Sequence, residues 1–154
     1  MSNIEGLDAL MKKLTALGGA ATDGTERGMQ FVVEQIQQEA QLLVPFDTGE
    51  LRENIYKNVE TKGQKCIGTV GSNKWYAPYV EFGTGPRGEA SRPEHAKSIN
   101  YRQTGWTYHD GNDFVYTKGQ AAKPFLYPAL ASVKPKVNEI IAEGFRHEIK
   151  KLTH

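Results

Sequence analysis

Thiols are nearly absent: Cys66 is the single cysteine in 154 residues, so neither an internal disulfide nor a multi-thiolate metal cluster can hold the chain together. An excess of charge of one sign is also missing. Nineteen Lys and Arg stand against eighteen Asp and Glu, a formal net charge of +1, which argues against a generic polyanion binder driven by overall charge. The longest aliphatic runs are pairs and triplets such as Leu42-Leu43-Val44, far short of the roughly 20 apolar residues of a membrane-spanning helix. No membrane association is expected. The four histidines, His95, His109, His147 and His154, form no His-x-x-x-His pair of the kind that binds zinc from one helix face. Met1 to Glu5 join no basic flank to an apolar stretch, so no secretory leader is expected, and folding in a cytoplasm is. What remains is 38% hydrophobic, 24% charged and 10% aromatic, enough for a single domain over residues 1–154 held by packing.

The apolar pattern divides the chain. Ile4, Leu7, Leu10, Met11, Leu14 and Leu17 step by threes and fours, predicting an amphipathic helix over about 4–17 that Gly18-Gly19 ends. Asp23 or Thr25 then offers a cap for a second helix over about 26–43, carried by Met29, Val32, Val33, Ile36, Ala40 and Leu43 and stopped by Pro45. Residues 54–117 read as a sheet region. Ile55 to Val59 and Lys65 to Val70 form one predicted hairpin, and Trp106, Tyr108, Phe114 and Tyr116 flank an Asp110-Gly111-Asn112 turn in a second. Between them, 86–104 is polar and nearly without aliphatic residues, predicting a long mobile loop. Leu126, Leu130, Val133, Val137, Ile140, Phe145 and Ile149 then keep helical spacing over about 125–151, with a kink expected at Pro135. The predicted fold is α+β: a four-stranded antiparallel sheet of two hairpins packed against the N-terminal helices and a long C-terminal helix. Phe125 and Leu130 are expected to anchor that last helix.

Catalytic constellations are sparse. The glycines of Phe82-Gly83-Thr84-Gly85-Pro86-Arg87-Gly88 lack the Gly-Lys-Ser/Thr of a phosphate loop, and Pro86 removes a donor. His109-Asp110-Gly111-Asn112-Asp113 lacks calcium-loop spacing and suits a hairpin turn. No catalytic residue, cofactor or metal ligand is assigned. Residues 1–46 carry three basic and six acidic side chains, 47–104 nine and seven, and 105–154 seven and five. The acidic first third reads as a solvated helix face, and it would also suit head-to-tail contact between copies.

Three segments are more specific: Val44-Pro45-Phe46-Asp47-Thr48-Gly49-Glu50-Leu51-Arg52, then Tyr76-Ala77-Pro78-Tyr79-Val80-Glu81-Phe82-Gly83-Thr84-Gly85, then Lys123-Pro124-Phe125-Leu126-Tyr127-Pro128-Ala129-Leu130. In this order and spacing they resemble the minor-tail and head-tail joining family of tailed bacteriophages, whose pattern is V-P-x-D-T-G-x-L-R-x-S-I, Y-A-x-Y-V-E-F-G-T-G and Q-P-F-L-x-P-A-L. The resemblance runs from Gly6 to Leu152. Asp47, Thr48, Gly49, Leu51 and Arg52 match the first motif. Tyr76, Ala77, Tyr79, Val80, Glu81, Phe82, Gly83, Thr84 and Gly85 match the second, and Pro124, Phe125, Leu126, Pro128, Ala129 and Leu130 the third. Asn54 departs from the family's serine and Lys123 from its glutamine.

The resemblance implies a non-enzymatic virion component made in the bacterial cytoplasm and placed at the neck, on the tail side of the portal. It would act in tail completion or head-tail joining, or alternatively as a tail terminator capping the tail tube. Its implied partners are copies of itself in a ring around the DNA passage, an adaptor or stopper on the head side, and a terminator or tube on the tail side. Arg87, Arg92, Lys97 and Arg102 of the loop, with the Trp106, Tyr108, Phe114 and Tyr116 surface, are the expected assembly contacts. Two rivals are a metal-dependent nuclease built on Glu81, His95, His109, Asp110 and Asp113, and a regulatory nucleic-acid binder; neither has a motif behind it.

Overall fold

The computed structural model describes residues 6–47 and 49–153. It is α+β, in the order α1 (Leu7–Leu43), α2 (Glu50–Glu53), β1 (Ile55–Lys62), β2 (Lys65–Ser72), α3 (Ala77–Phe82), α4 (Gly85–Ala90), β3 (Trp106–His109), β4 (Phe114–Thr117), α5 (Leu126–Val133) and α6 (Val137–Leu152). Short 3-10 turns occupy Glu94–Ala96 and Lys134–Lys136. The packing resolves into two compact units. One holds the chain up to Gln35, Lys57–Thr69 and the chain from Val133 onward; the other holds Ile36–Tyr56 and Val70–Ser132.

The first unit is built on a helix seam. Where two helices over 4–17 and 26–43 were expected, one helix of 37 residues runs through Gly18-Gly19; residues 4 and 5 lie outside the described residues. Each glycine costs roughly 1 kcal/mol of helix propensity, and a cooperative hydrogen-bond ladder already nucleated on both sides can carry that. Thr25, expected as a cap, instead donates its hydroxyl to the Ala21 carbonyl at 2.9 Å, the i−4 bond of a helix interior. The small residues of this stretch serve packing. A Cβ at Gly28 would stand 2.6 Å from Ile141 Cα, and one at Gly24 2.8 Å from Phe145 Cα. On α6, a Cβ at Gly144 would collide with the Gly24 carbonyl and stand 2.8 Å from the Gly28 nitrogen. The two backbones therefore approach as closely as glycine permits, with Arg27 Nη1 held 3.3 Å from Glu148 Oε1. Lys151 donates to both Glu148 oxygens, and this bond holds the Glu148 carboxyl below its ordinary value. The β1–β2 hairpin packs on the same helix through Gly68, beside Val33 and Met29. N-terminal to Ala20, α1 is exposed throughout, and Leu7, Leu10, Met11, Leu14 and Leu17 are each about half accessible.

The four strands form two separate antiparallel pairs, β1–β2 and β3–β4, rather than one four-stranded sheet. The stretch expected as a loop, 86–104, carries α4 and a 3-10 turn. It buries Gly88, Ala96 and Tyr101, and the Tyr101 hydroxyl donates to the Phe82 carbonyl at 2.6 Å. Few aliphatic side chains did not mean few buried ones: a tyrosine, an alanine and a glycine fill the space. The C-terminal helix is interrupted at Lys134–Lys136, around Pro135, whose ring and missing N–H disfavour a regular i−4 ladder.

Two outcomes check this packing. Gly144→Ala is expected to destabilise by about 1–3 kcal/mol through overpacking, whereas Gly19→Ala, with nothing within 4 Å of its Cβ, should stabilise by roughly 0.5–1 kcal/mol; thermal melts of the pair read the opposite signs. Replacing residues 87–103 with a short Gly-Ser linker should lower the melting temperature by several degrees or more, because it removes Tyr101 and Ala96 from a packed site.

Candidate functional site

The second and third motifs meet at one buried carboxylate. Glu81, 4% exposed, lies in α3, whose six residues bring Ala77 and Glu81 to the buried face. Its Oε2 accepts the backbone N–H groups of Phe125 at 2.7 Å and Leu126 at 2.9 Å, and its Oε1 accepts that of Tyr127 at 3.1 Å. These are orphan donors at the start of α5, where the helix dipole also favours a negative charge. His95 Nε2 lies 3.3 Å from Glu81 Oε1. The His95 ring stacks on Tyr127 with centroids 4.0 Å apart and 12° between planes. Gly83 then turns the chain at φ 74°, so close to the 120–122 segment that a Cβ would stand 2.7 Å from the Ala122 nitrogen. Residues 118–123 are bound along α3 and α4: Thr84 N donates to Gln120 O, Arg87 N to Lys118 O and Lys123 N to Val80 O. In the third motif Phe125 and Ala129 are fully buried. Leu130, expected as an anchor, is 45% exposed, because the buried face of α5 at this turn carries Ala129 instead.

The first motif is a turn and a short helix. Thr48 lies outside the described residues. Gly49, at φ 80°, opens α2, and Leu51 is buried. Gln37 Nε2 donates to Ile55 O at 2.7 Å and Gln41 Nε2 to Arg52 O at 3.3 Å, tying this segment to the end of α1. Arg52 stacks 5.3 Å from the Phe46 ring centroid. Asn54, which replaces the family's serine, donates from Nδ2 to the Glu50 carbonyl at 2.8 Å. Glu50 also links the first motif to the second: it is paired with Lys74, whose hydrogen bond holds the Glu50 carboxyl below its ordinary value, and it accepts the Tyr76 hydroxyl at 3.4 Å.

Two open clefts adjoin the motif residues. One, of about 580 Å3, is lined by Phe46, Asp47, Tyr76, Val80, Arg87 and Lys123 among others. The other, of about 590 Å3, is aromatic, with Trp75, Tyr76, Tyr79, Trp106 and Tyr108 around it. The expected aromatic assembly surface is divided. Trp106 pairs with Thr117, Thr107 with Tyr116, Tyr108 with Val115 and His109 with Phe114. Partners across a ladder share a face and neighbours along a strand alternate. Trp106 and Tyr108 therefore face one way, toward the second cleft, and Phe114 and Tyr116 the other. Phe114 and Tyr116 are 78% and 63% exposed. Of the expected basic contacts, Arg87 lines the first cleft, Arg92 stands 5.0 Å from the Tyr101 ring centroid and 3.5 Å from Glu89, and Arg102 lies 5.3 Å from that of Trp106. Lys97 is exposed.

The residues of the nuclease alternative are divided as well. Glu81 and His95 sit in the buried cap of α5, while His109, Asp110 and Asp113 shape the exposed β3–β4 turn. Among the described residues no group of three or more His, Cys, Asp or Glu could hold a metal ion, and no helix is long and apolar enough to cross a membrane. Sequence reasoning missed Lys74, His95 and Tyr101 as structural partners. Glu81 was recognised only as a motif letter. The signal for its role was its position one helix turn after Ala77, where a buried face leaves a carboxylate needing donors.

Residues 8–83 match the sequence model of a family described as "Bacteriophage HK97-gp10, putative tail-component". That stretch is just under half of the chain, and over it the chain is similar to that phage tail-component family. The match includes the first motif and the second through Gly83; the third lies beyond it. Comparisons with curated proteins and with solved structures return no match. Phe125→Ala is expected to cost about 3–5 kcal/mol, and Glu81→Ala about 3 kcal/mol or more by leaving α5 amides without acceptors. Leu130→Ala should stay within roughly 1 kcal/mol and Arg87→Ala within about 0.5 kcal/mol. Denaturant titration of the four variants checks the ranking.

Proposed function

We propose that this chain is a non-enzymatic structural component of the neck of a phage or prophage virion, joining head to tail as a ring of copies around the DNA passage. One observation carries the reading. In a chain that is similar over residues 8–83 to a phage tail-component family, the second unit leaves Phe46, Trp75, Phe114 and Tyr116 between 63% and 80% exposed. An isolated soluble protein rarely leaves so much aromatic surface uncovered, whereas assembly buries it. The motif carboxylate best placed for chemistry, Glu81, is committed to three backbone amides. A cyclic oligomer with heterologous contacts suits a neck because it closes by rotation and leaves a central passage.

Deleting the gene in the phage or prophage that encodes this chain should abolish infectious titre while DNA-filled heads and complete tails accumulate unjoined; a plasmid copy should restore joining. Electron microscopy of the lysate reads the result. Overlong tails would transfer the role to capping of the tail tube. Joined, infectious particles lacking the chain would overturn the proposal.

A further inference from the structure

The β3–β4 hairpin ends in a knob that the same unit gives no seat. Between Thr107 and Thr117 the hairpin carries Asp110 and Asp113 and no Lys or Arg. The turn is pre-shaped: Asp110 Oδ1 accepts the N–H groups of Asn112 at 2.9 Å and Asp113 at 2.8 Å. These bonds hold the Asp110 carboxyl below its ordinary value. Beside the carboxylates stands Phe114, 78% exposed, with the His109 ring edge-on at 5.1 Å. The cleft of about 580 Å3 has the complementary character. Arg87 and Lys123 are its cations, Asp47 is the one acid among its lining residues, and Phe46 and Tyr76 supply aromatic wall.

We infer that the Asp110–Phe114 tip of one copy docks in the Phe46–Tyr76–Arg87–Lys123 cleft of a second copy, forming the repeating contact of the ring. The inference rests on the assembly reading above and adds its interface. A carboxylate-bearing tip meets two cations, and Phe114 meets Phe46 and Tyr76, where aromatic pairs add attraction beyond their buried area. The tip needs little ordering, so little conformational entropy opposes docking. It cannot fill its own copy's cleft. Four strand residues at about 3.4 Å each set the tip roughly 14 Å from the hairpin base, and the base leads directly to Gly119 and Gln120, which line the cleft. A knob and a socket on different surfaces of one chain allow a head-to-tail contact that repeats from copy to copy, the kind of contact that gives a ring where its rotation closes.

The test is disulfide capture in a Cys66→Ser background, with Asn112→Cys on the tip and Ala121→Cys in the cleft, in purified full-length protein at high concentration and in assembled particles. Oxidation should give a non-reducing gel ladder extending beyond dimer, absent from either single-cysteine variant and removed by reductant. Arg87→Glu with Lys123→Glu should cut the ladder by about tenfold, and adding Asp113→Lys to that chain should restore most of it; melts of all variants matching the parent exclude unfolding. Particles that contain the double-cysteine chain but give no ladder, or one that stops at dimer, would overturn the tip-in-cleft contact and leave the neck role standing. Absence of the chain from particles would be the failure of the neck role itself and would overturn both.

Discussion

The second unit depends on a carboxylate that must be buried and cannot be left alone. Burying an unpartnered carboxylate costs several kcal/mol, so Glu81 requires donors, and those within its reach are the first amides of a helix 44 to 46 residues along the chain. Much of the local architecture answers that need. Gly83 turns sharply so that 118–123 can pass against α3 and α4. Phe125 enters the core at the start of α5, and His95 closes over the cap by stacking on Tyr127. Charge-assisted bonds of this kind are among the stronger ones a protein makes, and they join two of the three motifs covalently far apart.

In the first unit the constraint is steric. Gly24 and Gly28 on α1 meet Gly144, Ile141 and Phe145 on α6 at distances that exclude a Cβ. The helices are fixed by backbone contact more than by large side chains. That seam leaves the N-terminal turns of α1 to extend with an uncovered leucine stripe. Both units leave apolar side chains exposed, Leu7 to Leu17 in the first and Phe46, Trp75, Phe114 and Tyr116 in the second.

Legibility in the sequence followed the same division. Helical periodicity marked α1 and the C-terminal helices, and the Asp-Gly-Asn turn marked β3–β4, because those signals are local. Gly18-Gly19 reads as a helix end in the sequence, and the helix runs through it; the glycines that pack on α6 are Gly24 and Gly28. The 86–104 stretch was misread as mobile because its burial runs through Tyr101, Ala96 and Gly88, residues that hydropathy does not count as core. The single sheet failed because two hairpins reveal their own pairing and nothing of their edges. Glu81 was visible as a motif letter, but its role lies in donors from a distant segment, which periodicity cannot show. The two aromatic faces of β3–β4 needed the cross-strand register, which a one-residue slip would have changed.

The central claim, that the shared motifs act as a fold-holding clamp around Glu81, is tested most directly by native-state amide hydrogen exchange at Phe125, Leu126 and Tyr127. If the clamp holds the unit together, these three amides exchange only on global unfolding, with the same opening free energy as amides in the buried turn around Ala129. Fast exchange through local opening, while the Ala129 amide stays protected, would contradict the account.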